Sequence, residues 1–183
     1  MLPRKARKGS SRPTVSRPEL LVDGSDSDFR RLVEGLFPLL SIHTAIRDGY
    51  ASLVGLPGPQ YTILLCIRNL ERTASVNITM VANALRQSGS FITAETNALE
   101  KKGLVAKARG EADRRKVTIS LTRQGAELLD SIATLRQRVN DVQFHSLSRE
   151  EFRMLVPLIE RLVRSGEQAL ALLDYLKSQE QAA

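Results

Sequence analysis

The hydrophobic pattern changes period several times along the chain. Residues 1–25 show no apolar period and hold Pro3, Pro13 and Pro18, so they read as a disordered arm. Behind "SDSDF", whose serines and aspartates are candidate N-caps, Phe29, Leu32, Val33, Leu36 and Leu40 recur at helical spacing. This helix is expected to reach about Leu53, with a kink or restart at Pro38, because proline removes a backbone donor. "GLPGPQ" breaks the pattern, and a second helix follows with Ile63, Leu64, Ile67 and Leu70 facing inward.

Two short helical stretches come next. "ITMVANAL" places Met80, Val81, Ala84 and Leu85 at helical spacing. After the turn "RQSGS", which contains Gly89, a further helix carries Ile92, Thr96 and Leu99 inward and stops at Gly103. Two short helices joined by a tight turn form a helix-turn-helix pattern. Residues 105–109 and 116–121 then alternate apolar and polar and are rich in Val, Ile and Thr, as strands of a hairpin are. Thr122 can cap the next helix, with Leu128, Leu129, Ile132, Leu135 and Val139 on its core face. Ser148 and Glu151 form a capping box for the last helix, whose apolar positions are Phe152, Leu155, Ile159, Leu162, Leu170 and Leu173, with a bend expected at Pro157. The fold class is therefore mainly α with a small β-hairpin.

Charge changes this picture from a generic helical domain to one with a phosphate-facing surface. The net charge of +7 is uneven along the chain. Residues 1–18 carry +6 and residues 85–123 carry +5, while the remaining two stretches are each at −2. Local basicity of this kind suits nucleic acid. No apolar run approaches the roughly 18 residues that span a bilayer, so no membrane association is expected. The arm, rich in Arg and Ser and free of acids, also fits a transit peptide, but its prolines oppose the amphipathic helix such a peptide needs. A basic arm that adds salt-dependent DNA affinity is the preferred reading.

The candidate chemistry lies on the second helix of the pair and on the hairpin. Ser88, Ser90, Thr93, Ala94 and Asn97 project away from the Ile92/Leu99 stripe. Short hydroxyls at a helix N-terminus suit phosphate and base-edge contacts, and asparagine can pair bidentately with adenine. An ordinary polar helix face is the plainer alternative. Arg114, Arg115 and Lys116 form the densest cationic cluster, just before the return strand. A stiff ribbon can carry such a tip into a narrow minor groove, and Asp113 beside it can orient one guanidinium.

Residues 81–125, with the short helix ending at Leu85, the helix exit Leu99-Glu100-Lys101-Lys102-Gly103-Leu104, the tip Asp113-Arg114-Arg115, and Leu121-Thr122 with Gly125, resemble the winged helix-turn-helix core of the MarR family of bacterial transcription regulators. The order of helices extends the resemblance over about residues 28–176. It implies a cytoplasmic homodimer formed by the first and last helices, binding double-stranded DNA with a recognition helix in the major groove and each wing in the minor groove. It also implies a small-molecule or redox signal. The domains read as a basic arm (1–25), an N-terminal dimerisation region (26–56), the winged helix-turn-helix (57–125) and C-terminal dimerisation helices (126–183). Lys107 stands where the family usually has arginine, across from the wing acid Asp113, and lysine cannot form the planar fork. Phe91, which falls among the DNA-binding positions, and Glu95 stand where smaller or apolar residues are usual.

An effector site has one candidate, in which His43, Arg47 and Tyr50 continue the Leu36/Leu40 stripe of the first helix and could take a carboxylate or phenolate. An ion pair at an interface is the alternative. Cys66 lies on the buried side of the second helix and reads as a core thiol, not as a redox sensor. The two histidines, His43 and His145, are far apart, and no hydrolase, zincin or nucleotide-binding motif is present. No catalysis, cofactor or metal site is expected. The sequence points to a DNA-binding regulator, a repressor released by an aromatic-acid-like effector. A helical adaptor that meets acidic proteins through the basic arm is the second reading.

Overall fold

The computed structural model describes residues 12–109 and 117–182. Seven α-helices are described: α1 (Ser27–Leu53), α2 (Gly58–Leu70), α3 (Ile78–Leu85), α4 (Gly89–Lys101), α5 (Arg123–Ser131), α6 (Ala133–Phe144) and α7 (Arg149–Ala182). One antiparallel pair, β1 (Val105–Arg109) and β2 (Val117–Leu121), lies between α4 and α5. The chain separates into two compact units, 1–132 and 133–183.

In the first unit α2 is the central post. It packs against α1, α3, α4, α5 and β2. Its sequence explains this role: Tyr61, Ile63, Leu64 and Ile67 are all at most 1% exposed, too many for one narrow stripe. Each such side chain contributes roughly 1.5–3 kcal/mol of burial. Val81 from α3, Ile92 and Leu99 from α4, Ile119 from β2 and Leu129 from α5 complete the core. The expected inward stripe of α4 is present, and Thr96 sits inside it because its hydroxyl donates back to the Ile92 carbonyl at 2.8 Å.

The hairpin is rooted in the core as well as paired with itself. Val105 faces Leu121 and Lys107 faces Ile119 across the ladder. The Ile119 amide donates to the Val76 carbonyl at 2.9 Å, and the Leu121 amide donates to the Glu71 carboxylate at 2.9 Å. Both partners lie in the connection from α2 to α3, where no strand period is visible in the sequence.

Several expectations are corrected. Helix α1 runs through Pro38 without a restart, and α7 runs through Pro157. One proline removes one internal hydrogen bond, which a long helix tolerates. The helix expected after Thr122 is two helices, α5 and α6, parted at Ile132, where the two compact units also divide. Of its expected core face only Leu129 and Ile132 are buried, because α5 packs on α2 and β2.

The arm also differs from expectation. Within 12–25, Pro18–Leu20 form a 3-10 turn and Val22 pairs with Ser25. Asp26 precedes α1 but makes no capping bond. Its carboxylate accepts instead from the Thr14 amide and hydroxyl, each at 2.8 Å, and from Arg30 at 3.0 Å. These donors, Thr14 first, hold the Asp26 carboxyl down to about 2. The caps expected at Thr122 and Ser148 are present: Thr122 accepts from the Gly125 amide, and Ser148 and Glu151 exchange bonds, while Ser88 adds a further cap by accepting from the Phe91 amide.

The second unit, by itself, is α6 and α7. Helix α7 has 34 residues, and none of its described side chains is buried. Its capping box starts it, but its large apolar side chains stay open: Phe152, Ile159, Leu162, Leu170 and Leu173 are all exposed.

Candidate nucleic-acid interface

The turn between α3 and α4 sets the geometry of the pair. Asn77 caps α3 by accepting from the Met80 amide at 2.9 Å. Arg86 ends α3 in the left-handed region, with φ of 54°. Gly89, the one glycine of this turn, opens α4 without a positive φ. A non-glycine residue in this region costs roughly 1–2 kcal/mol. Ser88 then caps α4 through its side chain.

Ser88, Ser90, Thr93, Ala94 and Asn97 are all exposed, and Phe91 is half-buried. The hydroxyls of Ser88 and Ser90 stand 3.1 Å apart, at the end of α4 where free N–H groups favour an anion. Thr93 differs, since its hydroxyl donates to the Gly89 carbonyl at 2.7 Å and leaves mainly its methyl outward. Asn97 is not free either: Lys107 from β1 donates to its side-chain oxygen.

Lys107 also lies 3.7 Å from the Glu100 carboxylate, and its side chain is only 15% exposed. The strand residue is thus drawn onto α4, so the hairpin and the helix are fastened side to side. Asp113, the other wing-support residue, lies outside the described residues, as do Arg114, Arg115 and Lys116. What is described are the two strand ends that flank them, Arg109 and Val117, which pair directly.

A broad groove of about 600 Å³ runs between α3, Thr93 and β2, lined by Ser75, Asn77, Thr79 and Thr118. Its lining mixes these hydroxyl and amide groups with the apolar Ile78 and Val117.

The candidate effector residues are split by burial. Tyr50 is 5% exposed and its ring lies 6.2 Å from that of Tyr61, inside the core. His43 and Arg47 are half-buried. Arg47 lies close enough to Cys66 to favour its thiolate, but burial outweighs it and the thiol is pushed up. A separate cleft of about 230 Å³ opens between Thr44 and Asp48 of α1, the start of α2, Leu85 and Phe91. Among the described residues no helix is long and apolar enough to cross a membrane, and no group of His, Cys, Asp or Glu is placed to hold a metal.

Sequence reasoning missed Gln60. It is 7% exposed at the start of α2 and bonds to both Glu95 and Lys102. Its place in "GLPGPQ" gave the only hint, a polar residue in the first turn of a helix otherwise apolar at its start.

Comparison with known proteins agrees with this architecture. Residues 51–132 match the family described as Transcriptional regulator SarA/Rot. No curated protein sequence matches the chain. Among solved structures, BpsR of Bordetella bronchiseptica, whose DNA binding is regulated by 6-hydroxynicotinic acid, is 21% identical over 73% of this chain and 98% of its own, with a TM-score of 0.59. A mutant MarR from E. coli complexed with operator DNA is 20% identical over 74% of this chain and 95% of its own, with a TM-score of 0.61. A MarR/EmrR family regulator from Acinetobacter sp. ADP1 is 16% identical over 76% of this chain and 96% of its own, with a TM-score of 0.65. At these identities the structures speak to the fold, and the matched segment 51–132 spans the central helix, the helix-turn-helix and the hairpin. The chain is thus similar to the SarA/Rot transcriptional regulators over residues 51–132, and its fold is that of the winged-helix MarR structures.

Proposed function

We propose that the chain is a homodimeric repressor that reads a specific duplex and is released by a small aromatic acid. Ser88, Ser90, Phe91, Thr93, Ala94 and Asn97 of α4 meet the major groove. Arg114, Arg115 and Lys116 enter the neighbouring minor groove. The observation that carries this reading is the exposed, short-side-chained face of α4 beside a hairpin that Lys107 ties to it. Apart from Phe91, which is half-buried at its edge, this face carries only short side chains and can approach base edges closely. Lys107 already donates to the Asn97 side-chain oxygen that adenine pairing would use, so Lys107 is placed to orient it.

The dimer reading rests on open apolar surface in each unit. On α1, Phe37 is 71% and Leu40 62% exposed, and on α7 Leu162 is 57% and Leu170 57% exposed. Continuous apolar faces of this length need a cover, and a second copy supplies one for both helices. Sedimentation at micromolar concentration should find a dimer, and Leu162→Arg should shift it to monomer.

The effector reading draws on Arg47, a half-buried cation on α1, and on BpsR, which answers to an aromatic acid. A nuclease footprint on DNA flanking the gene, repeated with aromatic acids, tests the whole proposal. A protected site of two half-sites, lost on adding one acid, is the expected result. Protection indistinguishable from that of bulk DNA rejects sequence-specific binding.

A further inference from the structure

We propose that Gln60 is the positioning residue of the DNA-facing helix: its carboxamide, held between Glu95 and Lys102, sets the rotation of α4 and keeps the Glu95 carboxylate off the face that meets DNA. This inference rests on the reading of α4 as the DNA-facing helix.

Gln60 and Thr96 are the buried polar residues of the described core. Thr96 satisfies itself within its own helix. Gln60 does not, and reaches from α2 to α4. Its side-chain nitrogen donates to the Glu95 carboxylate at 3.0 Å, and its oxygen accepts from the Lys102 ammonium at 2.9 Å. A carboxylate only accepts and an ammonium only donates, so one orientation of the amide fits and the reverse opposes like to like at both ends. Both bonds are charge-assisted, the stronger kind.

Glu95 and Lys102 are seven residues apart, two turns along one side of α4. Two bonds to points about 10 Å apart along the axis define rotation and slide together, which a single bond cannot. At about 100° per residue, Ser90, Thr93 and Asn97 lie around the far side from Glu95, Ala94 lies to the flank, and Phe91 marks the near edge of the face. The clamp therefore directs the one acid in the middle of α4 away from phosphate. Apolar packing of Ile92 and Leu99 fixes how deep α4 sits but tolerates small rotation, since it has no direction.

The test uses the full chain and the duplex that the wild-type protein selects from a randomised pool, with random duplex as reference. Gln60→Glu sets two carboxylates against each other. Adding Glu95→Gln restores a donor to the new carboxylate, keeps its bond from Lys102, and returns the net charge to the wild-type value. The single variant should lose on the order of tenfold in discrimination between the two duplexes, with faster amide exchange along α4. The double variant should recover both. Gln60→Met, which removes both bonds without adding charge, serves if the single variant does not fold, and it should lose discrimination while staying folded. Unchanged discrimination in the single variant, or none recovered in the double, overturns the proposal. If the wild-type chain selects no duplex, the DNA-reading role itself fails. Amide exchange then judges the clamp alone, and unchanged protection of α4 in Gln60→Glu overturns it.

Discussion

Gly125 stands so close to Leu104 that a Cβ on it would lie 2.2 Å from the Leu104 carbonyl oxygen. The same carbonyl accepts from the Thr122 amide at 3.1 Å, and Thr122 donates its hydroxyl to the Gly103 carbonyl at 2.6 Å. The start of α5 is thereby seated on the turn that leaves α4. Because the obstacle is backbone, it cannot swing aside. Gly125→Ala should cost roughly 1–3 kcal/mol, the usual range for overpacking. A lower midpoint in denaturant with an unchanged slope would show it, and an unchanged midpoint would refute it.

Asp26 predicts a pH dependence confined to acid. Its carboxyl is held to about 2, below its ordinary value of 3.8, chiefly by the Thr14 amide and hydroxyl. A depressed carboxyl stabilises the charged, folded form, so its contribution is complete above 3.8 and is lost as pH falls toward 2. The Thr14 latch should therefore hold unchanged from neutrality to about pH 4. Asp26→Asn should release it at every pH. Limited proteolysis within 12–25 reads this, with faster cleavage in the variant at pH 7. Equal cleavage rates would mean that the latch holds nothing.

Cys66 should be a slow thiol. Burial raises its pKa, and the opposing Arg47 charge is the smaller effect. Alkylation of the native protein at pH 8 should run at least about tenfold slower than in denaturant, where an ordinary thiol of pKa about 8.5 is exposed. The rate should climb above the usual thiol range as pH rises. Rapid native alkylation would contradict the burial and reopen a thiol-based signal.

The wing and the arm should separate by their salt behaviour. Arg115→Ala should cost on the order of 1–3 kcal/mol per half-site and relax any preference for a narrow A·T-rich groove. Deleting 1–11 removes Arg4, Lys5, Arg7 and Lys8 but spares Thr14 and its latch. It should weaken binding to every duplex and flatten the salt dependence. Affinities for selected and random duplex across a salt series distinguish these effects. An equal loss on both duplexes from Arg115→Ala would make the wing a phosphate anchor only.

Much of the first unit was legible in local pattern. The helical periods named Ile63, Leu64 and Ile67 on α2 and Ile92, Thr96 and Leu99 on α4, and these are buried to within 1%. The caps at Thr122 and Ser148 were legible for the same reason, since a cap is a contact between residues three apart. The exposed side of α4 followed from the buried side by subtraction. The α1 helix continued past Pro38 because one proline removes one backbone donor from a 27-residue helix whose other bonds remain.

The sequence by itself determined periodicity, caps, the two basic islands and the fold that these imply, because each depends on neighbours within a few residues. Only the tertiary structure decided which polar groups are already taken. Gln60 meets residues 35 and 42 positions away, and Thr14 meets Asp26 12 positions away. Lys107 crosses from β1 to Asn97, and Tyr50 turns from a candidate ligand-binding residue into a core partner of Tyr61. Hydrogen bonds are short-ranged and directional, so a partner is chosen by where the backbone has already brought a donor and an acceptor. Hydrophobic burial is non-directional and can be read from one chain segment at a time, whereas the polar clamp on α4 exists only once α2 has packed against it.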